Sequence, residues 1–198
     1  ASTGLAVLTD TRFAEPHSQL AFTVSKKTEG LPAVTTTHDA AGRPRLESSI
    51  GFGNKPVVVG YEYDNLGRLT RSSLPHFQGE EQRYTVRNYD ELDRVTEERH
   101  PDGAVIKISF KGLKTTVTDP LGRITVIEKD DRGKTTKTND PLNGETRFEY
   151  DVSGKVVQIV NALKQTSHIQ YDLAGQRIAL EDPALGAWRY KYNGFSEL

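Results

Sequence analysis

Acids, bases and imidazoles are plentiful in this chain, yet few of them share a spacing that catalysis or metal binding requires. Five histidines, His17, His38, His76, His100 and His168, stand singly, and none has the spacing of a metal-ligand pair. His168 falls on the polar face of an alternating segment, where a solvated ring is expected. Cysteine is absent, which removes thiolate metal sites, thiol nucleophiles and disulfides together. No Gly-x-Ser-x-Gly elbow, phosphate loop or dinucleotide fingerprint occurs, and Gly51-Phe52-Gly53-Asn54 reads as a turn or bulge. The sequence predicts no catalytic residue, no cofactor and no metal: a chain that is not an enzyme.

Two periodic sets of side chains remain. Asp39, Asp64, Asp90, Asp130, Asp151 and Asp172 form one, with Arg43, Arg68, Arg94, Lys134 and Lys155 each four residues after an Asp. Such a column could bind anions or glycans, but an acid beside each base cancels the field that an anion needs. The expectation is that each Asp caps a turn and its basic follower pairs across it or lies solvated, exposed pairs being worth only ~0–1 kcal/mol. The second set is aromatic: Tyr63, Tyr89, Tyr150, Tyr171, Trp188, Tyr190 and Tyr192. These rings could stack on sugars, but they alternate in register with Val, Ile and Phe, so packing is expected. Trp188, Tyr190 and Tyr192 are the densest cluster and the candidate binding surface.

The elements that carry these sets repeat. Tyr61-Glu62-Tyr63-Asp64-Asn65-Leu66-Gly67-Arg68-Leu69-Thr70 is echoed at Tyr89-Asp90 through Arg94, Tyr150-Asp151 through Gly154, and Tyr171-Asp172 through Gly175. Weaker echoes are His38-Asp39, Phe110-Lys111, Lys129-Asp130 and Tyr192-Asn193. Positions 130, 151, 172 and 193 are 21 residues apart, while the steps 39 to 64 and 64 to 90 are 25 and 26. A fixed period of this size marks a repeat architecture. Each copy holds two turns. The first is Asp-x-x-Gly, in which Asp accepts local N–H groups and Gly takes a left-handed φ. The second, half a period later, appears as Asp119-Pro120-Leu121-Gly122, Asp140-Pro141-Leu142-Asn143-Gly144 and Asp182-Pro183-Ala184-Leu185-Gly186. Proline second in the turn pre-sets φ and cannot extend a strand.

Between turns the residues alternate. Val57/Val59/Tyr61/Tyr63 share one face against Val58, Gly60 and Glu62, and Ile106/Ile108/Phe110, Phe148/Tyr150, Ile169/Tyr171 and Trp188/Tyr190/Tyr192 each oppose polar neighbours. Period-two alternation with a turn about every ten residues predicts an all-β chain of tandem antiparallel hairpins. Residues 1–30 lack a clear copy and read as an N-terminal β segment, with short strands at Leu5-Ala6-Val7-Leu8 and Gln19 to Val24 around the breaker Glu15-Pro16-His17-Ser18. Residues 31–198 read as the repeat region, about eight copies with some degenerate. The chain is 198 residues, 35% apolar and 27% charged, with net charge −1 and mean hydropathy −0.60. That balance gives no electrostatic case for nucleic acid, and no apolar run reaches the ~20 residues of a membrane helix. The first residue is Ala1, methionine is absent throughout, and no signal-like segment opens the sequence. The chain therefore reads as an internal piece of a longer protein.

Tyr63-Asp64-Asn65-Leu66-Gly67-Arg68-Leu69-Thr70 and Asp119-Pro120-Leu121-Gly122-Arg123-Ile124-Thr125, recurring at this period, resemble the YD repeat of the Rhs family. That family includes bacterial polymorphic toxins, the B and C components of Tc toxins, and teneurins. The resemblance covers residues 31–198. It implies a curved, winding β-sheet that forms part of a hollow shell enclosing a toxic C-terminal domain until delivery. The aspartyl self-cleavage motif that closes such shells is not recognisable here, so cleavage and toxicity would lie outside this chain. By the same resemblance its partners would be the rest of its own polypeptide, the enclosed toxin domain, and secretion-system or Tc-type components, with the protein secreted or at the bacterial cell surface. The alternative is an adhesion module that binds carbohydrate or cell-surface glycans through the aromatic stripe. Two exposed sheet edges and an apolar face also predict weak self-association of the isolated chain.

Overall fold

A computed structural model describes residues 7–13 and 20–197. Leu5, Ala6, the breaker at 15–18 and Gln19 lie outside the described residues. The chain divides into two compact units, residues 1–105 and 106–198. The first holds β1 (Val7–Phe13), β2 (Leu20–Thr28), β3 (Val34–Asp39), β4 (Pro44–Ile50), β5 (Pro56–Tyr63), β6 (Leu69–Ser73), β7 (His76–Phe77), β8 (Tyr84–Tyr89) and β9 (Val95–Arg99). The second holds β10 (Val105–Lys111), β11 (Lys114–Thr118), β12 (Ile124–Lys129), β13 (Thr135–Asn139), β14 (Glu145–Tyr150), β15 (Val156–Val160), β16 (Thr166–Tyr171), β17 (Arg177–Asp182) and β18 (Gly186–Arg189). Within each unit the pairing is antiparallel and runs between successive strands, except that β7 pairs with β5 and β6 with β8. The expected all-β hairpin meander is the fold.

Side-chain alternation decides the faces. In β10, Ile106, Ile108 and Phe110 are half-buried while Lys107, Ser109 and Lys111 are exposed. In β14, Phe148 and Tyr150 are half-buried against exposed Arg147 and Glu149; β16 repeats this with Ile169 and Tyr171 against His168 and Gln170. The last strand departs from the expectation. β18 stops at Arg189, with Ala187, Trp188 and Arg189 all exposed, and Tyr190 and Tyr192 follow it outside any strand. Burial alternates only beyond the strand, where Tyr190 and Tyr192 are half-buried and Lys191 is exposed.

The Asp-x-x-Gly turns are built alike. The N–H of Gly67 donates to Asp64 O (2.9 Å) and the N–H of Asp64 to Arg68 O (3.0 Å), closing a type I turn followed by a bulge. The register slips beside Tyr63, Tyr89, Tyr150 and Tyr171, so every one of these copies carries a bulge that increases local twist. The left-handed position is not always glycine. Asp93 (φ 61°), Asn143 (φ 63°) and Lys164 (φ 62°) occupy it, which moves the fourth place of the Asp140 turn from Gly144 to Asn143. Asp182 differs: β17 and β18 pair directly as Asp182 with Gly186, leaving three loop residues, and Gly186 takes the positive φ (79°). Two further turns of the common kind begin at His100 and Asn161, where the sequence offered no Asp.

The longer step from 64 to 90 has a local cause. The strand opposite β5 is broken: β6 pairs with Tyr61–Tyr63 and β7 with Val57 and Val58, while Leu74-Pro75 interrupts between them. At the break Gly60 N–H donates to the Ser73 hydroxyl (2.8 Å), replacing a ladder bond that would otherwise be lost. Val58 (7% exposed), Ser73 (5%) and Thr85 (7%) gather there as the most buried patch of the first unit.

Candidate functional site

The Asp of each turn is a cap. Asp64 Oδ1 accepts from the N–H groups of Leu66 (3.0 Å) and Arg68 (2.9 Å), and Oδ2 from Arg68 Nε (2.7 Å). Asp39 with Arg43, Asp90 with Arg94 and Asp119 with Arg123 repeat all three bonds. Lys155 N–H and the Ser153 hydroxyl donate to Asp151, and Gln176 N–H to Asp172. These bonds hold several of the carboxyls below the ordinary carboxylate range. For Asp64 the Arg68 N–H contributes most, for Asp90 the Arg94 side chain, and for Asp151 the Ser153 hydroxyl. For Asp39 and Asp119 desolvation opposes and the arginine bonds outweigh it.

Four of the five basic followers also reach beyond their own turn. Arg43 lies over the ring of Tyr63 (4.9 Å), Arg68 over Tyr89 (4.9 Å), Lys134 over Tyr150 (5.9 Å) and Lys155 over Tyr171 (5.3 Å). In each pair the cation belongs to one copy and the ring to the next, a cation–π contact. The ring's hydroxyl points back: Tyr89 donates to Leu69 O (2.7 Å), Tyr150 to Thr135 O (2.7 Å) and Tyr171 to Val156 O (3.0 Å). In all three the acceptor is the residue just after the basic follower. The same cation crosses the next copy's turn, since a Cβ on Gly154 would stand 3.1 Å from Lys134 Cε. Asp93, in the corresponding place, accepts from Arg68 Nη1 (3.0 Å), as does Asp90 O (3.0 Å). Asp93 thereby exchanges glycine's freedom for an ion pair. The sequence carried this signal as a base and a tyrosine 16 to 21 residues apart.

The aromatic cluster is looser. Trp188 is 53% exposed and its Nε1 donates to Leu185 O (2.8 Å). Arg177 covers Tyr190 at 4.5 Å, and the Tyr192 hydroxyl donates to Arg177 O (3.0 Å). Gln176 replaces the base at this step, and the neighbouring Arg177 takes over. Trp188 thus keeps an open ring, whereas Tyr190 and Tyr192 are engaged in the same kind of tie as the earlier tyrosines.

On the polar face charges neutralise one another across strands. Glu128 meets Lys137 (3.4 Å) and Lys114 (3.8 Å), and Glu145 meets Arg147 (2.8 Å), Lys164 (3.5 Å) and Lys137 (3.6 Å). The Arg147 bond, first among these, lowers the Glu145 pKa. His38 stacks on Phe22 at 4.6 Å, His76 Nδ1 sits 2.9 Å from Leu74 O, and His100 lies 3.3 Å from Glu98. Among the described residues no group of His, Asp or Glu is placed to hold a metal, and no helix is long and apolar enough to cross a membrane.

Two outcomes follow from this geometry. Arg68→Ala should lower the midpoint of urea unfolding several-fold more than Arg123→Ala, because Arg68 is 23% exposed and serves two copies while Arg123 is 61% exposed and pairs with Asp119. Equal effects would mean that the tie between copies contributes nothing. Acid should also destabilise the fold. The capped carboxyls titrate lower in the folded chain than unfolded, so their stabilisation is complete above the unfolded value of ~3.9 and is lost as pH falls below it. A thermal midpoint that stays level from pH 7 to about 4.5 and then drops is expected, and a midpoint unchanged to pH 2.5 would contradict it.

No protein-family profile matches the chain, and none of the curated proteins matches it. Solved structures do. The TcdB2-TccC3-TEV crystal structure is 16% identical over 93% of this chain, with a TM-score of 0.73. The TcdB2-TccC3 crystal structure is 17% identical over 90%, TM-score 0.71. The Photorhabdus luminescens Tc holotoxin pore with mutation TccC3-D651A is 17% identical over 85%, TM-score 0.68. The chain spans about 12% of the length of each of these. At this identity the likeness is one of fold, and the hairpin meander of this chain is the fold of these Tc-toxin chains, the group that its Tyr-Asp repeat resembles.

Proposed function

We propose that this chain is a section of an Rhs-type β-shell, a non-catalytic scaffold that encloses a toxic C-terminal domain of a longer polypeptide and helps deliver it. The observation that carries the reading is the tie of base, ring and carbonyl between successive copies, which builds a continuous sheet and leaves no converging reactive groups among the described residues. In this reading residues 31–198 are wall throughout. Its partners are the rest of the same polypeptide, the enclosed domain and Tc-type or secretion components, and the protein acts outside the producing cell. The fold shared with TcdB2-TccC3 supports it. Limited proteolysis of the intact polypeptide tests it. The C-terminal domain should resist cutting while the wall is folded and be cut once mild denaturant opens the wall; equal cutting in both states would overturn containment.

A second reading, glycan adhesion, is favoured by one observation, the open ring of Trp188. If it holds, Trp188→Ala abolishes binding on a glycan array while the circular dichroism spectrum is unchanged. Absence of binding by the wild-type chain at millimolar sugar would remove this reading.

A further inference from the structure

Glycine directly follows asparagine at Asn143-Gly144 and at Asn193-Gly194, and the fold holds the two pairs in opposite ways. An asparagine followed by glycine is open to attack on its side-chain amide by the next backbone nitrogen, because glycine has no Cβ to crowd the ring that forms. At Asn143 that nitrogen is occupied. The Gly144 N–H donates to Asp140 Oδ1 (2.8 Å), and the carboxylate lies so close that a Cβ on Gly144 would stand 2.5 Å from Oδ2. At Asn193 the nitrogen is open: Gly194 N–H has no acceptor among the described residues, and a Cβ there would meet nothing within 4 Å. The asparagine side chain is the held group instead. Its Oδ1 accepts from the N–H groups of Phe195 (2.9 Å) and Glu197 (3.0 Å), and its Nδ2 donates to Glu197 Oε2 (2.7 Å). This is the cap of the Asp turns with an amide in place of the carboxylate. Asn161 repeats it, with Oδ1 accepting from Leu163 and Gln165 N–H (both 3.0 Å) and Nδ2 donating to Gln165 Oε1 (3.0 Å), but the residue after it is Ala162.

We infer that Asn193 is a site of spontaneous deamidation, the one of these three asparagines at which a polarised amide and a free following nitrogen coincide. The two N–H groups on Oδ1 are placed to stabilise the negative charge that gathers there when the amide is attacked. Gly194 N gives its proton to solvent base and bonds to Asn193 Cγ; the Cγ–Nδ2 bond breaks, and ammonia leaves with a proton from water. Water then opens the resulting succinimide at either carbonyl, giving aspartate or isoaspartate. Neither product preserves the turn. Isoaspartate lengthens the backbone by one carbon and displaces the cap. Aspartate keeps the cap but loses the Nδ2 bond and faces Glu197, which stands where Arg68, Arg94 and Arg123 pair with their caps in other turns. The modification therefore adds a negative charge and loosens this turn. It is independent of the shell reading.

Ageing the purified chain at mildly alkaline pH, with peptide mapping by mass spectrometry and labelling by an isoaspartyl methyltransferase, tests the inference. In the folded chain Asn193 should convert at least tenfold faster than Asn143 and Asn161. In urea, with the fold lost, Asn143 should catch up with Asn193 while Asn161 stays slow. Gly194→Ala, placed where there is room for a Cβ, should slow Asn193 to the rate of Asn161. Conversion of Asn143 as fast as Asn193 in the folded chain overturns the inference, as does a ratio between them that urea leaves unchanged, because the dipeptide alone would then set the rate. Asn193 converting no faster than Asn161 in the folded chain overturns it as well.

Discussion

The structure has almost no interior. Among the described residues Val58 and Ala179 are the buried hydrophobic side chains, and no large side chain is fully buried. Strand contacts run between ladder neighbours within each unit. A sheet arranged so cannot draw on the core burial that stabilises a compact domain. Its stability has to come from within the plane: ladder hydrogen bonds, capped turns, and side chains that reach from one hairpin to the next.

The tie between copies answers that constraint. One base performs three tasks. Arg68 closes its own turn through Asp64, covers the Tyr89 ring, and donates to Asp90 O and Asp93 in the following turn. The tyrosine completes the link with a hydroxyl bond in the reverse direction. Each copy is therefore joined chiefly to its neighbours, and stability approximates a sum of copy and interface contributions. Such a sheet can be lengthened without redesign, which suits a wall. It also explains why the repeated residues look like a binding comb in sequence yet are occupied in the fold.

The meander, its turns and the alternating faces were legible in the sequence, because Asp-x-x-Gly and period-two alternation report local backbone geometry directly. What escaped was whatever depended on a neighbour. Asp93 reads as a defect until Arg68 is seen to pair with it, and Lys164 reads as filler until Asn161 is seen to cap its turn. His100 hid a turn because the cap there is Asp102 to Ala104 N–H instead of the first residue. The insertion at 74–83 showed only as a long period, since Leu74-Pro75 signals a break without saying that β7 resumes the ladder beyond it. The base-to-ring contact was present as a recurrence, but pairing within the turn already accounts for the charge, so the residue types alone do not point to the ring.

The central claim is that a basic side chain in one copy is energetically coupled to the tyrosine of the next. A double-mutant cycle on Lys155 and Tyr171, 5.3 Å apart, measures that coupling directly. Lys155→Ala, Tyr171→Leu and the double variant are compared by reversible urea unfolding. A favourable coupling of about 0.5–1 kcal/mol is expected for a partly exposed cation over a ring. Additive effects, with a coupling of zero within error, would mean that copies are held by their backbone ladder alone and that the tie is only a geometric coincidence.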